Sequence, residues 1–174
     1  MDLLQKLERI EREFPDYLKG ALKRAPVLLQ GYIGAEMDFR EQQRDSVVFA
    51  PSSSTKLQIG KGALYRSFGV KDKNNFYEER ADGFTLGSKL PYATIQEEGG
   101  FIKSKGKMPS YFWARYYATK SPYYKNLALA VKKNGGVNIK AKPYFRPAEK
   151  KFASEGVYEL QNTILKQIAA IVNE

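Results

Sequence analysis

An α+β subunit is what this sequence predicts: a small, mostly antiparallel sheet flanked by N-terminal helices and a long C-terminal helix. Three observations point there. Apolar residues recur at helical spacing from Leu3 to Met37, two short stretches at 83–87 and 137–141 alternate apolar with polar or small residues, and helical spacing returns from Tyr144 to Val172. Helices at both ends with strands between them make a sheet with helices packed to one side, the arrangement of an α+β domain.

The elements follow in order. Leu3, Leu4, Leu7, Ile10 and Phe14 fall on one helical face with charges opposite, which predicts a helix over residues 2–13. A second series runs from Pro15 or Asp16 through Tyr17, Leu18, Ala21 and Leu22, and a third, with Val27, Leu28, Tyr32, Ile33 and Met37, follows Pro26. Pro26 has no amide proton to give the preceding turn, so a kinked or broken helix pair ending near Gln43 is expected. Residues 46–49 suit a short strand and 51–55 have loop composition. The stretch Gly60-Lys61-Gly62 fails the phosphate-loop spacing because its lysine precedes the second glycine, with no Ser or Thr after it. A turn into a short helix carrying Leu64 and Phe68 fits better, with a strand near 68–70 and a polar turn over 74–82 in which Glu78 and Glu79 are solvated.

The strand at 83–87 leads to Pro91, which suits the opening of a short helical turn whose exit the Gly99-Gly100 pair supplies. The strand at 137–141 is expected beside it in one sheet. Pro143 and Pro147 stop that strand and start the last helix, with Gly156 at its centre or at a kink.

At 174 residues the chain is read as a single domain over 1–174, with residues 101–136 as a basic, aromatic insertion or extended loop inside it. There is no cysteine and no histidine. Disulfides, thiolate nucleophiles and cysteine-ligated metals are thereby excluded, and the commonest metal ligand and neutral-pH general base are missing. No cofactor, metal ligand set or catalytic residue is predicted. No stretch approaches the length of an apolar membrane span, and the first residues lack the pattern of a cleaved signal, so a soluble protein is expected.

The net charge of +10 is unevenly placed: residues 1–98 carry 15 bases and 15 acids, whereas residues 99–148 carry 11 bases and no acid. Within that segment Lys103, Lys105 and Lys107 alternate with Ile102, Ser104 and Gly106. After them Tyr111, Phe112, Trp113, Arg115, Tyr116 and Tyr117 precede Tyr123 and Tyr124. Leu127, Leu129, Ala130 and Val131 suit either a brief helix or a strand before the turn at Asn134. Two readings of the aromatics fit. They contact a partner or stack on bases while the lysines meet phosphate or an acidic surface, or they are core and the lysines its wet rim. Lys103, Lys105, Lys107, Tyr111, Trp113, Arg115 and Tyr116 are the contact candidates under the first.

Three stretches, in their order, resemble a known group. Gly62-Ala63-Leu64-Tyr65-Arg66-Ser67, then Tyr92-Ala93-Thr94-Ile95-Gln96-Glu97-Glu98-Gly99, then Lys142-Pro143-Tyr144-Phe145-Arg146-Pro147-Ala148 are similar to the tail-completion and head-tail joining proteins of tailed bacteriophages, which include the tail terminators. The resemblance spans about residue 60 to the C-terminus, and the segment between Gly100 and Gly136 departs from it in being more basic and aromatic. It implies a non-enzymatic virion protein, assembled in the host cytoplasm, that forms a hexameric ring at the neck or the top of the tail. Its partners would be copies of itself, adjoining neck, connector or tail-tube proteins, and genomic DNA in the channel, with no membrane. Under it Tyr92, Ala93, Glu97, Glu98, Arg146 and Pro147 are motif residues of architectural role, the arginine pairing with Glu97 or Glu98 or else simply solvated. A second function class, a nucleic-acid-binding protein that ignores sequence, rests on residues 99–148 alone. An enzyme ranks last, since adjacent carboxylates such as Glu97 and Glu98 do not face each other as an acid/base pair.

Overall fold

The computed structural model describes residues 2–39, 57–59, 62–80 and 83–174. It is α+β: a long N-terminal helix, two-stranded ribbons that are antiparallel where their register is defined, and a C-terminal helix. The chain divides into two compact units, one built from Met1–Met37, Gly62–Leu90 and Tyr144–Glu174, the other from Asp38–Lys61 and Pro91–Pro143.

The first unit is organised on α1, Leu3–Ala35, a single helix where a kinked or broken pair was expected. It opens on a capping box: the Gln5 amide donates to the Asp2 carboxylate at 2.9 Å and the Asp2 amide donates to the Gln5 side chain at 3.2 Å. Pro15 and Pro26 both lie inside the helix. An interior proline costs about 3 kcal/mol. Beyond Pro26, burial of Leu29 and Ile33 returns roughly 1.5–3 kcal/mol each. Pro26 is itself buried, so an apolar contact remains where the hydrogen bond is lost. Ala21, Ala25, Leu29 and Ile33, spaced by four, form the buried stripe of α1.

That core also holds Leu64 on α2, Ala63–Arg66, with Phe68 just beyond it, Leu86, Tyr144, Ala148 and Ile171. Phe68 stands edge-on to Tyr144 at 5.9 Å and tilted to Phe145 at 5.7 Å. Residues 68–70, expected as a strand, belong instead to a run of turns in which the Phe68 amide donates to Tyr65 and the Gly69 amide to Arg66. The expected polar turn over 74–82 is in fact largely β3, Asn75–Arg80, paired antiparallel with β4, Gly83–Ser88. Its inward positions are Asn75 and Tyr77, and its charged residues lie exposed on a two-stranded ribbon with no outer neighbour. Below the ribbon the buried Ser67 hydroxyl donates to Leu64 O at 2.6 Å and lies 2.7 Å from Ser88 Oγ.

The C-terminal element is α6, Phe145–Lys151, then one wide turn, Phe152–Gly156, then α7, Val157–Val172. Gly156 ends the wide turn. A Cβ there would lie 2.6 Å from the Phe152 ring, which packs edge-on against Tyr32 at 6.4 Å. Two links at opposite ends, one from α7 and one from α6, run the C-terminal helices antiparallel to α1. Lys6 Nζ donates to Val172 O at 2.7 Å, and Lys151 pairs with Glu36.

After α1, β1, Met37–Phe39, pairs with β2, Leu57–Ile59. The expected strand at 46–49 and the loop at 51–55 lie outside the described residues. After Pro91 comes α3, Ala93–Glu98, closed by Gly99 at φ 74°, as the proline and glycine pair predicts. There a side chain would be strained, and its Cβ would sit 2.7 Å from the Ala141 nitrogen. Then follow β5, Gly100–Lys103; α4, Met108–Thr119; α5, Pro122–Asn134; and β6, Gly136–Ile139. The strand at 137–141 therefore ends earlier than expected and pairs with β5, not with β4: β4 and β6 lie in separate ribbons. In the first ribbon the partners are close in sequence, and a short connection closes at little entropic cost.

Candidate functional site

Residues 101–136, expected as a basic, aromatic insertion or extended loop, form a strand followed by a helical hairpin. Pro109 is accepted in the first turn of α4, where its missing amide proton has no intrahelical partner to lose. Lys120 ends the helix in the left-handed region, at φ 55°, with its amide donating to Tyr116 O at 2.7 Å. Among the described residues it is the one non-glycine at positive φ. The Thr119 hydroxyl donates to Arg115 O at 2.8 Å and accepts from the Ser121 amide at 3.3 Å, which secures the corner. Pro122 then starts α5, and Gly135 at φ 71° ends it.

The hairpin is held from one side. Tyr124, Ala128 and Val131, at spacings of four and three, are the buried residues of α5. Gly136 lets the ribbon close, because a Cβ there would overlap Ile102 O and the Phe101 ring across the strand pair. The Ser104 amide donates to Gly135 O at 2.7 Å, and the Lys142 amide donates to Gln96 O at 2.9 Å, tying the strand exit to α3.

No residue of α4 is buried, although six of its twelve are aromatic or methionine. Its rings pack on one another. Trp113 stacks on Tyr117 at 6.0 Å and 29° and meets Tyr116 edge-on at 5.9 Å, while Tyr111 meets Phe112 at 5.5 Å. Two cations join them. The Arg115 guanidinium lies 5.6 Å from the Tyr111 ring centre and donates to its hydroxyl at 3.2 Å, and the Lys120 ammonium lies 5.6 Å from the Tyr117 ring centre. The bond to the Tyr111 hydroxyl pushes the Arg115 pKa up, and burial pushes up that of Tyr123. Tyr111 and Tyr117 remain 54% and 62% exposed.

The second unit carries 14 bases and 5 acids against 15 and 14 in the first, so nearly all the net charge belongs to the unit that exposes these rings. Of the residues singled out from sequence, Lys103 ends β5, Lys105 lies in the loop after it and Lys107 precedes α4. All three are exposed, but the strand stops at Lys103. Tyr111 is exposed, whereas Trp113, Arg115 and Tyr116 are half-buried. Tyr117 and Lys120 were missed as contact candidates. The signal for Tyr117 was its four-residue spacing from Trp113, which places the two rings on one helix face.

The motif residues divide between the units. Tyr92 and the buried Ala93 open α3, with Glu97 half-buried and Glu98 exposed at its end, while Arg146 and Pro147 lie in the first turn of α6. Among the described residues no group of acidic side chains could hold a metal, and no helix is long and apolar enough to cross a membrane. Compared with known proteins, the chain matches no family model, no curated protein and no solved structure.

Proposed function

We propose that the chain is a structural virion protein of a tailed bacteriophage, a subunit that assembles as a ring at the neck or the top of the tail and joins tail to head. One observation carries this reading. A twelve-residue aromatic helix has no fully buried residue and exposes Tyr111 and Tyr117 inside a strongly basic unit, and exposed aromatic surface of that kind is what a subunit offers to its neighbours. The resemblance supports it further, because each of the three motif stretches opens a helix: Gly62 caps α2, Tyr92 caps α3 and Tyr144 caps α6. The chemistry is that of contact and not of catalysis. Glu97 and Glu98 are consecutive on α3, about 100° apart around its axis, and point to no shared reacting atom.

A second reading, binding of nucleic acid without regard to sequence, is favoured by the cations beside exposed ring faces at Tyr111 and Tyr117. Such pairs stack on bases and neutralise phosphate. Titrating labelled duplex and single strands into the purified protein at two salt concentrations separates the two. The ring reading predicts weak binding and a neighbour bound at defined stoichiometry. Tight binding contradicts it if the log-log salt slope falls by roughly 0.9 for each of Lys103, Lys105 and Lys107 that is neutralised.

A further inference from the structure

Among the described residues the first half of α1 exposes apolar side chains as the aromatic hairpin does, and it differs from the hairpin in charge. In α1 nothing before Ala21 is buried. Leu3, Leu4 and Leu7 are 75%, 66% and 55% exposed, and Phe14 and Leu18 are exposed as well. At ~100° per residue these five share one sector of about 100° around the helix. It continues, towards the N-terminus, the face that Ala21, Ala25, Leu29 and Ile33 bury in the core.

Glu11 lies inside that sector and Glu8 about 40° beyond its edge, both exposed and neither with a side-chain partner among the described residues. No base of residues 3–18 falls inside it. Lys6 and Arg9 turn instead to the end of α7, where Lys6 donates to Val172 O and Arg9 pairs with Glu174, and Arg12 lies beside Glu13. The stripe is thus apolar, mostly leucine, with acids only. The α4–α5 hairpin is aromatic with bases only, since neither helix contains an Asp or Glu.

We infer that the leucine stripe of α1 seats the α4–α5 hairpin of a second copy of this chain, so that copies join head to tail. Rings of Tyr111 and Tyr117 would cover Leu3, Leu7 and Phe14, and Lys120 and Lys125 would meet Glu8 and Glu11. A stripe meeting its own copy would bring acids against acids, and a hairpin meeting its own copy would bring bases against bases. Like charges brought together in an interface are costly, so the unlike pairing is selected. It joins two different patches, and such a contact propagates from copy to copy until the rotation closes a ring. The inference rests on the ring-forming reading and names the two faces that build it.

Exchanging the charges tests it. One variant carries Glu8→Lys with Glu11→Lys, the other Lys120→Glu with Lys125→Glu, all at exposed positions. Wild-type protein, each variant and an equal mixture are followed by sedimentation velocity. The wild type should assemble, each variant alone should associate about a hundredfold or more weakly, and the mixture should recover, because each variant then meets its opposite charge. Assembly of both variants at wild-type strength overturns this pairing and leaves the ring reading standing. So does a defect in only one of the two variants, or a mixture that fails to recover. A wild type that stays monomeric overturns both.

Discussion

At the residue scale, the most connected charge on α1 is Glu13. Its carboxylate accepts from the Tyr17 hydroxyl and from Arg9 Nε at 3.0 Å, and Arg9 reaches on to Glu174. The Tyr17 bond first, and Arg9 second, hold the Glu13 pKa below the usual carboxylate range. A carboxylate with a depressed folded pKa contributes stability that is complete above its unfolded value. That stability is lost as pH falls through the ordinary range and then through its own lowered one. Wild-type protein should therefore be more resistant to urea than Glu13→Gln at pH 7, and the gap should shrink at pH 3. An unchanged gap would show that the bonds to Glu13 matter only through geometry. Glu174, present in both proteins, cancels in the comparison.

At the scale of elements, the corner between α4 and α5 sets a stability cost against a contact. Lys120 occupies a left-handed conformation that costs an L-residue roughly 1–2 kcal/mol, and its ammonium lies over Tyr117. Lys120→Gly should raise the thermal midpoint, by about 1 kcal/mol of stability, while weakening assembly. A variant that is stabilised yet assembles as before would show that Lys120 makes no contact between subunits. Elements whose determinants are local were legible beforehand. Leu3 to Phe14 announced the start of α1, Pro91 and Gly99 bracketed α3, and Pro143 with Pro147 marked the entry to the last helix. What depended on distant partners was not. The passage of α1 through Pro26 depends on the core beneath its second half, and nothing buried accounts for its passage through Pro15. The pairing of β6 with β5 is a choice between strands, which alternation within one strand does not encode. Polar Glu78, Glu79 and Arg80 disguised β3 as a turn because both outer edges of a two-stranded ribbon accept charge. The hairpin was hidden for a different reason. Tyr, Trp and Lys serve in cores, rims and contacts alike, so residues 101–136 showed their composition but not their helices.

At the scale of the whole molecule, a nearly neutral unit carries an apolar, acid-bearing helix face and a basic unit carries an aromatic one. In the proposed assembly these surfaces are the contacts between subunits. Native mass spectrometry of the purified full chain over rising protein concentration tests this most directly, and adding a few hundred millimolar salt probes its electrostatic part. Subunit assembly predicts one closed species of fixed subunit number that grows at the expense of monomer and loosens in salt. A monomer at every concentration would contradict it.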